Sequence, residues 1–284
     1  MEYEKELKKL KNLMSDELWG LLADQGCIIA GGAVTSMFTN KEVNDIDVYF
    51  PSREAFTKVM QEIIDLRYNP KYKYEKDYSV GYVEGMITVV TNKAVLLLSE
   101  GTKVQFIVHN FYNTAEEIFK DFDFTVCMGA LEMKSDTWKF HQDFFKHNSQ
   151  RYIQFNENTS YPLISALRVA KYKEKGYTAS KAQFLKICLA VNNKNIDTWE
   201  KLFEELGGMY GTAPEDIFDV TVPFNLAYAM EKLDDVFITE KMKAKSWSCL
   251  DEIVKKIPQA FTPEVLKLVE EYEPPPVPSW MRCI

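Results

Sequence analysis

The sequence predicts an α+β protein in two parts, a mixed sheet with flanking helices over residues 1–145 and a helical domain over residues 146–284. Three patterns lead to this prediction. A short apolar run, a glycine pair and an amphipathic segment follow one another over residues 27–38, which is typical of a strand, a turn and a helix. Apolar residues alternate at period two through much of residues 86–133. From about residue 143 onward, helical spacing dominates instead.

The predicted elements of the first part begin with an amphipathic helix, or a pair of helices, over residues 5–23. Ser52 is expected to cap a later helix, because its side-chain oxygen can accept a hydrogen bond from the first helical turn. A short helix is expected over residues 114–119. Period-two patterns predict strands over residues 86–91, 94–98, 104–108 and 124–133, the first two forming a hairpin.

The second part is predicted to be all helical. Apolar residues recur at helical spacing over residues 161–192, 196–206, 225–233, 247–257 and 263–272. The chain then continues into a proline-rich segment, Glu273–Trp280, which we expect either to pack through Trp280 or to form a flexible tail.

Composition limits the class of protein. No apolar run approaches the roughly 20 residues that a membrane-spanning helix needs, and the first residues lack a signal-peptide pattern, so we expect a cytoplasmic protein that contacts no membrane. Its five cysteines lack a Cys-x-x-Cys pair, which argues for reduced thiols rather than disulfides or zinc. The net charge of −8 argues against a broadly basic nucleic-acid surface. The oligomeric state is not predicted.

Asp45 and Asp47 form the first candidate site. They alternate with Ile46 and Val48 on a predicted strand, so both carboxylates lie on one face. Neighbouring carboxylates repel unless a cation lies between them, and hard oxygen ligands suit Mg²⁺ or Mn²⁺. An Asp-x-Asp pair alone is more often a solvated strand face or a helix cap. A glycine pair thirteen positions earlier strengthens the prediction of a phosphoryl-transfer site.

That glycine pair, Gly31-Gly32, lies between the predicted strand and helix. The first backbone N–H groups of a helix lack partners within the helix, so this turn can bind a phosphate that no side chain would obstruct. A lone glycine pair at such a place is more often only a tight turn.

These residues carry a resemblance to a known superfamily. The glycine pair with Ala33-Val34, followed by Asp45-Ile46-Asp47, resembles the opening motif of the DNA polymerase β-like nucleotidyltransferases, most of all the class II CCA-adding enzymes and bacterial poly(A) polymerases. Residues 123–131 are similar to that family's Arg-Asp-Phe-Thr-Ile-Asn-Ala-Leu strand. Residues 167–177 are similar to its Leu-Arg-Ala-Ile-Arg-Phe…Gly-Phe helix.

The resemblance implies a metal-dependent enzyme that moves a nucleoside monophosphate from an NTP such as ATP to an acceptor hydroxyl. It favours an RNA 3′ end as the acceptor, as in tRNA processing. The metal ligands would be Asp45 and Asp47. The triphosphate would be seated by Gly31, Gly32, Thr35 and Ser36. Asp123 would either contact the ribose or serve as a third catalytic carboxylate. A basic helix face could bind RNA, although it could also be merely solvated; its residues include Arg168, Lys171 and Lys175.

The sequence also departs from the family pattern. Thr35-Ser36 replaces an Arg-Asp pair, and Gln105 stands where many members of the superfamily carry a third carboxylate. The Glu-Asp-x-x-Arg motif that reads the incoming base is missing from residues 158–164. Two alternatives therefore stay open: a catalytically impaired nucleotide-binding protein, and a transferase that modifies a protein or a small molecule.

Overall fold

The computed structural model describes residues 3–68, 89–90, 94–99, 102–108, 110–206 and 218–233. Its helices are α1 (Glu4–Lys11), α2 (Asp16–Asp24), α3 (Gly32–Phe38), α4 (Arg53–Tyr68), α5 (Ala115–Asp121), α6 (Phe144–Ser149), α7 (Pro162–Glu174), α8 (Lys181–Asn193) and α9 (Trp199–Leu206). Its strands are β1 (Ile28–Ala30), β2 (Asp45–Tyr49), β3 (Val89–Val90), β4 (Ala94–Ser99), β5 (Thr102–Ile107), β6 (Gly129–Glu132), β7 (Thr137–Phe140), β8 (Tyr152–Ile153) and β9 (Thr178–Ala179). Residues 226–233 are also helical.

Serine caps begin three of these helices. The Ser15 hydroxyl accepts a hydrogen bond from the backbone N–H of Leu18 at the start of α2. The Ser52 hydroxyl accepts one from Ala55 at the start of α4, which confirms the cap that the sequence predicts. Ser180 caps α8 in the same way. Each cap satisfies one of the N–H groups that the first helical turn leaves unpaired.

A seven-stranded mixed sheet forms the framework of the candidate site. Its strand order is β3-β4-β5-β2-β1-β6-β7. β2 runs antiparallel to β1 and parallel to β5, and β1 also runs antiparallel to β6. β3 and β4 form the predicted hairpin, and β4 continues antiparallel to β5. Because β1 and β2 are interior strands, the residues they carry are held by neighbours on both sides.

The core under this sheet is apolar and rich in aromatic rings. Ile46 and Val48 of β2 are fully buried, as are Ile29 of β1 and Phe106 of β5. Phe50 follows β2, and its ring contacts the rings of Phe56 and Phe106 edge-on, at centroid distances of 5.3 and 5.1 Å. One face of β2 is therefore fixed by packing, which leaves the opposite face for polar side chains.

The chain divides into two compact units that are interleaved in sequence. The first unit contains the described residues up to Ala115 together with residues 130–139, and it holds the seven-stranded sheet. The second contains residues 116–129 and the described residues from 140 to 233. Within the described residues, the chain thus passes from one unit to the other three times, whereas the sequence predicts a single boundary at residue 145. The cause is β6, which returns to pair with β1.

The second unit contains two apolar cores. One gathers Phe124, Val126 and Cys127 against helix α7 and helix α8. The other surrounds Trp199 of α9, whose indole Nε1–H donates to the backbone oxygen of Val222 at 2.9 Å. A short parallel pair, β8 with β9, completes this unit.

Two predicted elements of this region are wrong. The strand expected over residues 124–133 is a 3-10 turn at Thr125–Cys127 followed by the shorter strand β6. The long helix expected over residues 161–192 is two helices, α7 and α8, because the chain turns at Gly176, whose φ of 85° lies in the left-handed region that favours glycine.

Helices α9 and 226–233 lie where the sequence predicts them. The helices predicted over residues 247–257 and 263–272, and the proline-rich tail, lie outside the described residues. Across the described ranges, no helix is both long enough and apolar enough to cross a membrane.

Candidate functional site

The two predicted metal ligands lie on the same face of β2. Asp45 is exposed and Asp47 is partly exposed, whereas the alternating Ile46 and Val48 are fully buried. This alternation confirms the orientation that the sequence predicts for the strand. Apolar packing on one face thus presents two carboxylates, two residues apart, on the other.

The glycine turn adjoins this strand directly. Ala30, the last residue of β1, pairs with Asp47, and the chain then enters Gly31 and helix α3. Gly31 has φ 89° and ψ −133°, a conformation that side chains rarely allow, so the turn requires glycine there. A Cβ added at Gly32 would meet no heavy atom within 4 Å. The turn therefore has open space at Gly32, next to the strand that carries the carboxylates.

The two hydroxyl residues of α3 differ in their surroundings. Thr35 is buried, and its hydroxyl donates to the backbone oxygen of Gly31 at 3.1 Å. Its one proton is therefore used to hold the glycine turn. Ser36 is partly exposed. Of the two hydroxyls predicted to contact a triphosphate, that of Ser36 is the more accessible. The Thr35 hydroxyl instead stabilises the turn through its hydrogen bond to Gly31.

Gln105 lies beside the carboxylates. β5 pairs with β2 in parallel, and the register places Gln105 opposite Asp47. Val104 and Phe106 are buried and Gln105 is partly exposed, so Gln105 shares the face of Asp45 and Asp47. The sequence predicts a strand over residues 104–108, and the structure confirms it as part of β5. The position next to the carboxylate pair therefore holds a neutral amide, which cannot act as a base near neutral pH.

The donor set of this face fits a hard divalent cation only in part. Two carboxylates and one amide oxygen are suitable ligands for Mg²⁺ or Mn²⁺, but these ions bind six oxygens and usually share a site with substrate phosphates and water. Among the described residues, no three His, Cys, Asp or Glu side chains are grouped so as to hold a metal ion. The face thus suits a cation that arrives with a nucleotide rather than one enclosed by protein.

Asp123, the third predicted catalytic residue, is buried in the second unit. Its carboxylate accepts a hydrogen bond from the guanidinium of Arg168 on α7, at 3.1 Å, in an ion pair. The Asp123 side chain is only 5% exposed, whereas that of Arg168 is 46% exposed. The negative charge of Asp123 is the main cause that raises the pKa of Arg168. The pair therefore joins the segment before the 3-10 turn to helix α7.

A second contact joins the same two stretches. The Cys127 thiol and the Tyr172 hydroxyl are hydrogen-bonded at 2.5 Å, and the Tyr172 ring packs edge-on against Phe124 at 5.2 Å. Burial raises the pKa of Cys127 to about 12 and raises the pKa of Tyr172 well above its usual value. Both groups are therefore neutral near pH 7. Residues 123–131 and 167–177, the two later stretches of the family resemblance, thus contribute to one core. The sequence alone does not predict this contact.

Further polar contacts of this core were not predicted either. The Tyr177 hydroxyl donates to the side-chain oxygen of Asn148 at 2.6 Å, and the Asn148 amide donates to the backbone oxygen of Val126 at 3.0 Å. The Thr125 hydroxyl is hydrogen-bonded to His147 Nδ1 at 2.7 Å. These partners lie 22 to 29 residues apart in sequence, so local patterns gave no signal for them.

The remaining RNA-binding candidates lie on exposed positions of α7. Lys171 is exposed, and Lys175, which follows the helix, is exposed with its ammonium 5.5 Å from the centre of the Tyr172 ring. The guanidinium of Arg168 is engaged by the carboxylate of Asp123. RNA binding by this helix stays a prediction.

Comparison with known solved structures gives low-identity matches. A structure titled "tRNA-processing enzyme (apo form I)" matches with a TM-score of 0.45 and 14% identity, covering 99% of this chain and 77% of that one. "The structure of CCA-adding enzyme apo form II" matches at 0.45 and 15%, covering 93% and 70%. The Thermotoga maritima CCA-adding enzyme complexed with tRNA_CCA matches at 0.43 and 14%, covering 93% and 68%.

Sequence comparison is more informative. Residues 2–151 match the model of a family described as "Gad2: Gabija anti-defense 2 family protein". A protein of Bacillus phage SPbetaL7 named "Gabija anti-defense 2" is 40% identical over 242 residues, which is 84% of this chain and 56% of that protein. The chain thus spans little more than half the length of this relative. The family match covers the glycine turn, the carboxylate strand and Gln105 together, and the chain belongs to the Gabija anti-defense 2 family.

Proposed function

We propose that this chain counteracts the Gabija defence through a metal-dependent nucleotidyltransferase site on the exposed face of β2. Membership of the family supports the first half of this proposal. The geometry of the first unit supports the second half. The observation that carries it is the pairing of Ala30 with Asp47, which brings the Gly31-Gly32 turn next to the two carboxylates.

In the proposed site, Asp45 and Asp47 hold one or two divalent cations, and Gly31, Gly32 and Ser36 seat the triphosphate. The cations would supply charge neutralisation of the leaving pyrophosphate and lower the pKa of the attacking hydroxyl. The acceptor oxygen forms a bond to the α-phosphorus while the bond from that phosphorus to the pyrophosphate oxygen breaks. The hydroxyl proton passes to solvent, since Gln105 cannot accept it. The favoured acceptor is the 3′ hydroxyl of an RNA; a protein or small-molecule hydroxyl is the alternative.

A second candidate function is nucleotide binding without transfer. The observation that favours it is Gln105 opposite Asp47, where a third carboxylate would assist deprotonation of the acceptor. Such a protein would sequester a nucleotide or report its presence to a partner. It would bind the triphosphate at the same residues as the proposed enzyme but release no pyrophosphate.

Two measurements on one set of variants test the proposal. Cells that carry the Gabija defence would express wild type, Asp45→Asn/Asp47→Asn or the control Asp24→Asn, and plating of a phage that the defence blocks would be counted. Asp24 is an exposed aspartate at the end of α2, so Asp24→Asn makes the same type of substitution once, without touching β2. We expect wild type and the control to restore plating and the double variant to fail.

The second measurement uses purified protein. Each α-labelled NTP would be supplied with Mg²⁺ or Mn²⁺ and with tRNA, total RNA or lysate of defended cells, and label joined to macromolecules would be measured together with pyrophosphate. Transfer that needs Asp45 and Asp47 supports the enzyme. Saturable NTP binding without pyrophosphate, combined with restored plating, would instead support the binding protein.

RNA as the acceptor has its own test on α7. Lys171→Ala/Lys175→Ala should weaken RNA binding and flatten its dependence on salt, because fewer counterions are released from the RNA. Arg168 is left unchanged in this variant because of its ion pair with Asp123. Unaltered affinity and salt dependence would exclude this helix as the path of the acceptor.

A further inference from the structure

Helix α8 exposes most of its large apolar side chains. The helix is well capped by Ser180, and its buried residue is Ile187. Phe184, Leu185 and Leu189 are 49%, 62% and 64% exposed. A surface helix of a globular protein normally turns such residues toward the core and polar residues toward water. On α8, three of the large apolar side chains face water instead.

The exposed residues form one continuous surface. Positions three and four apart are neighbours on a helix, so Lys181, Phe184, Leu185 and Leu189 follow one another along the same side of α8, with the exposed Cys188 between them. Single exposed leucines are common on proteins, but a contiguous apolar patch usually marks an interaction site. We call this surface the α8 face and define it by Phe184, Leu185 and Leu189.

The charge around the α8 face is mainly basic, although Glu157 forms an ion pair with Lys186 beside it. Helix α8 contains no aspartate or glutamate, and Lys181 and Lys186 flank the apolar residues. From Pro162 to Lys194 the sequence has seven basic residues and one acidic residue, in a chain whose net charge is −8. A partner that complements the α8 face therefore offers apolar side chains bordered by carboxylates.

We propose that the α8 face docks onto an acidic, apolar surface of a protein of the Gabija defence, an inference that rests on the proposed function. Two of the three side chains that define the face are leucines, which neither stack on bases nor donate hydrogen bonds, so the face suits RNA less well than a surface built of aromatic and basic side chains. A symmetric contact between two copies would set two lysine-bordered faces against each other, and charges of the same sign are unfavourable in such a contact. An acidic protein surface meets neither obstacle.

The test measures binding of the full chain to immobilised, purified proteins of the Gabija defence. Leu185→Glu/Leu189→Glu should weaken that binding by about tenfold or more, as expected when apolar anchors become like-charged to their partner. Both leucines are more than 60% exposed and glutamate forms helices nearly as well as leucine, so the unfolding midpoint should stay unchanged. Nucleotide binding by the β2 face should also stay unchanged.

A matched control separates the α8 face from exposed leucines in general. Leu226 belongs to the same unit and is 53% exposed, so Leu226→Glu should leave binding unaltered. Lys181→Glu should weaken binding by a smaller factor, and salt should reduce the affinity of wild type more than that of this variant.

The outcomes distinguish this inference from the proposed function. If wild type restores phage plating in defended cells and Leu185→Glu/Leu189→Glu restores it equally, the docking inference is wrong and the proposed function stands. If wild type fails to restore plating, both are wrong. If the variant instead loses RNA binding, or changes a dimer to a monomer in sedimentation, the face serves RNA or a second copy and the protein partner is excluded.

Discussion

Asp45 and Asp123 both belong to motifs that resemble one superfamily, yet their surroundings are opposite. Asp45 lies exposed on the polar face of β2, in the first unit. Asp123 is buried in the second unit and ion-paired with Arg168. A carboxylate can hold a cation only if its oxygens are accessible, whereas a buried carboxylate with a guanidinium partner holds chain segments together. Substitution of the two residues should therefore affect different properties.

The largest effect is expected from the β2 face. Asp45→Asn or Asp47→Asn should slow nucleotide transfer by roughly 100-fold or more, because each removes a charge that a catalytic cation needs. The unfolding midpoint should stay the same or rise slightly, since the two carboxylates repel when no cation is bound. Transfer assays and thermal unfolding on the same preparations measure both properties.

Asp24→Asn is the control for this change, and it should alter neither property. If the double variant Asp45→Asn/Asp47→Asn still transfers nucleotide at the wild-type rate, the assignment of the catalytic face is wrong.

Asp123→Asn should instead lower the free energy of unfolding, by about 1–3 kcal/mol, because it leaves the Arg168 guanidinium without its charged partner. We expect a smaller loss of stability than for a fully buried ion pair, because the Arg168 side chain is 46% exposed. Urea unfolding measures it. A double-mutant cycle with Arg168→Met gives the interaction between the two residues, and the double variant should lose less than the sum of the single variants.

A contrary result would remove the contrast between the two aspartates. If Asp123→Asn keeps wild-type stability but loses transfer by roughly 100-fold, then Asp123 acts in catalysis as the missing third carboxylate. The family resemblance alone leaves this role open.

A smaller effect is expected at Gln105. Gln105→Glu places a third carboxylate opposite Asp47, and we expect a rate within about tenfold of wild type together with a higher metal requirement, because like charges crowd the face. A titration of Mg²⁺ and Mn²⁺ at saturating NTP measures this, with Gln105→Ala as the uncharged control. If wild type is inert and Gln105→Glu starts transfer, the natural protein is a nucleotide-binding protein.

The smallest effect is expected on the stability of the second unit when the pH is lowered. Burial is the main cause that lowers the pKa of His147 below its usual 6.5. As pH falls through that usual value, the unfolded chain therefore takes up a proton before the folded chain does, and the stability present above it is progressively lost. Unfolding at pH 7.5 and at lower pH should show this loss. His147→Gln should reduce this pH dependence.

The arrangement of the first unit was largely predictable because its signals are local. Alternation of Asp45 and Asp47 with buried residues, and a glycine pair between strand and helix, each occupy a few consecutive residues. Pairing of β5 beside β2, with Gln105 opposite Asp47, follows from the period-two pattern together with the family resemblance. Thr35 was the exception, since only the folded turn shows its hydroxyl bonded to the Gly31 oxygen.

The second unit was less predictable because distant residues decide its local structure. Residues 125–127 have the apolar pattern of a strand. However, the backbone oxygen of Val126 accepts a hydrogen bond from the Asn148 amide, and the Thr125 hydroxyl is hydrogen-bonded to His147. These side chains replace the ladder hydrogen bonds of a strand and permit the 3-10 turn. The ion pair of Asp123 with Arg168 spans 45 residues, a separation over which a single sequence gives no signal.

Interleaving of the two units affects how the chain emerges during synthesis. By Lys139, the ribosome has released the strands of the first unit as far as β6 and most of β7. Phe124, Val126 and Cys127 have also emerged by then, but Tyr172, the hydrogen-bond partner of Cys127, follows 45 residues after it. Until α7 appears, these apolar side chains lack their core, a state that favours aggregation. Truncation at residue 145 would leave these side chains without their core permanently, so we expect soluble expression of the β2 face to require the chain through α8.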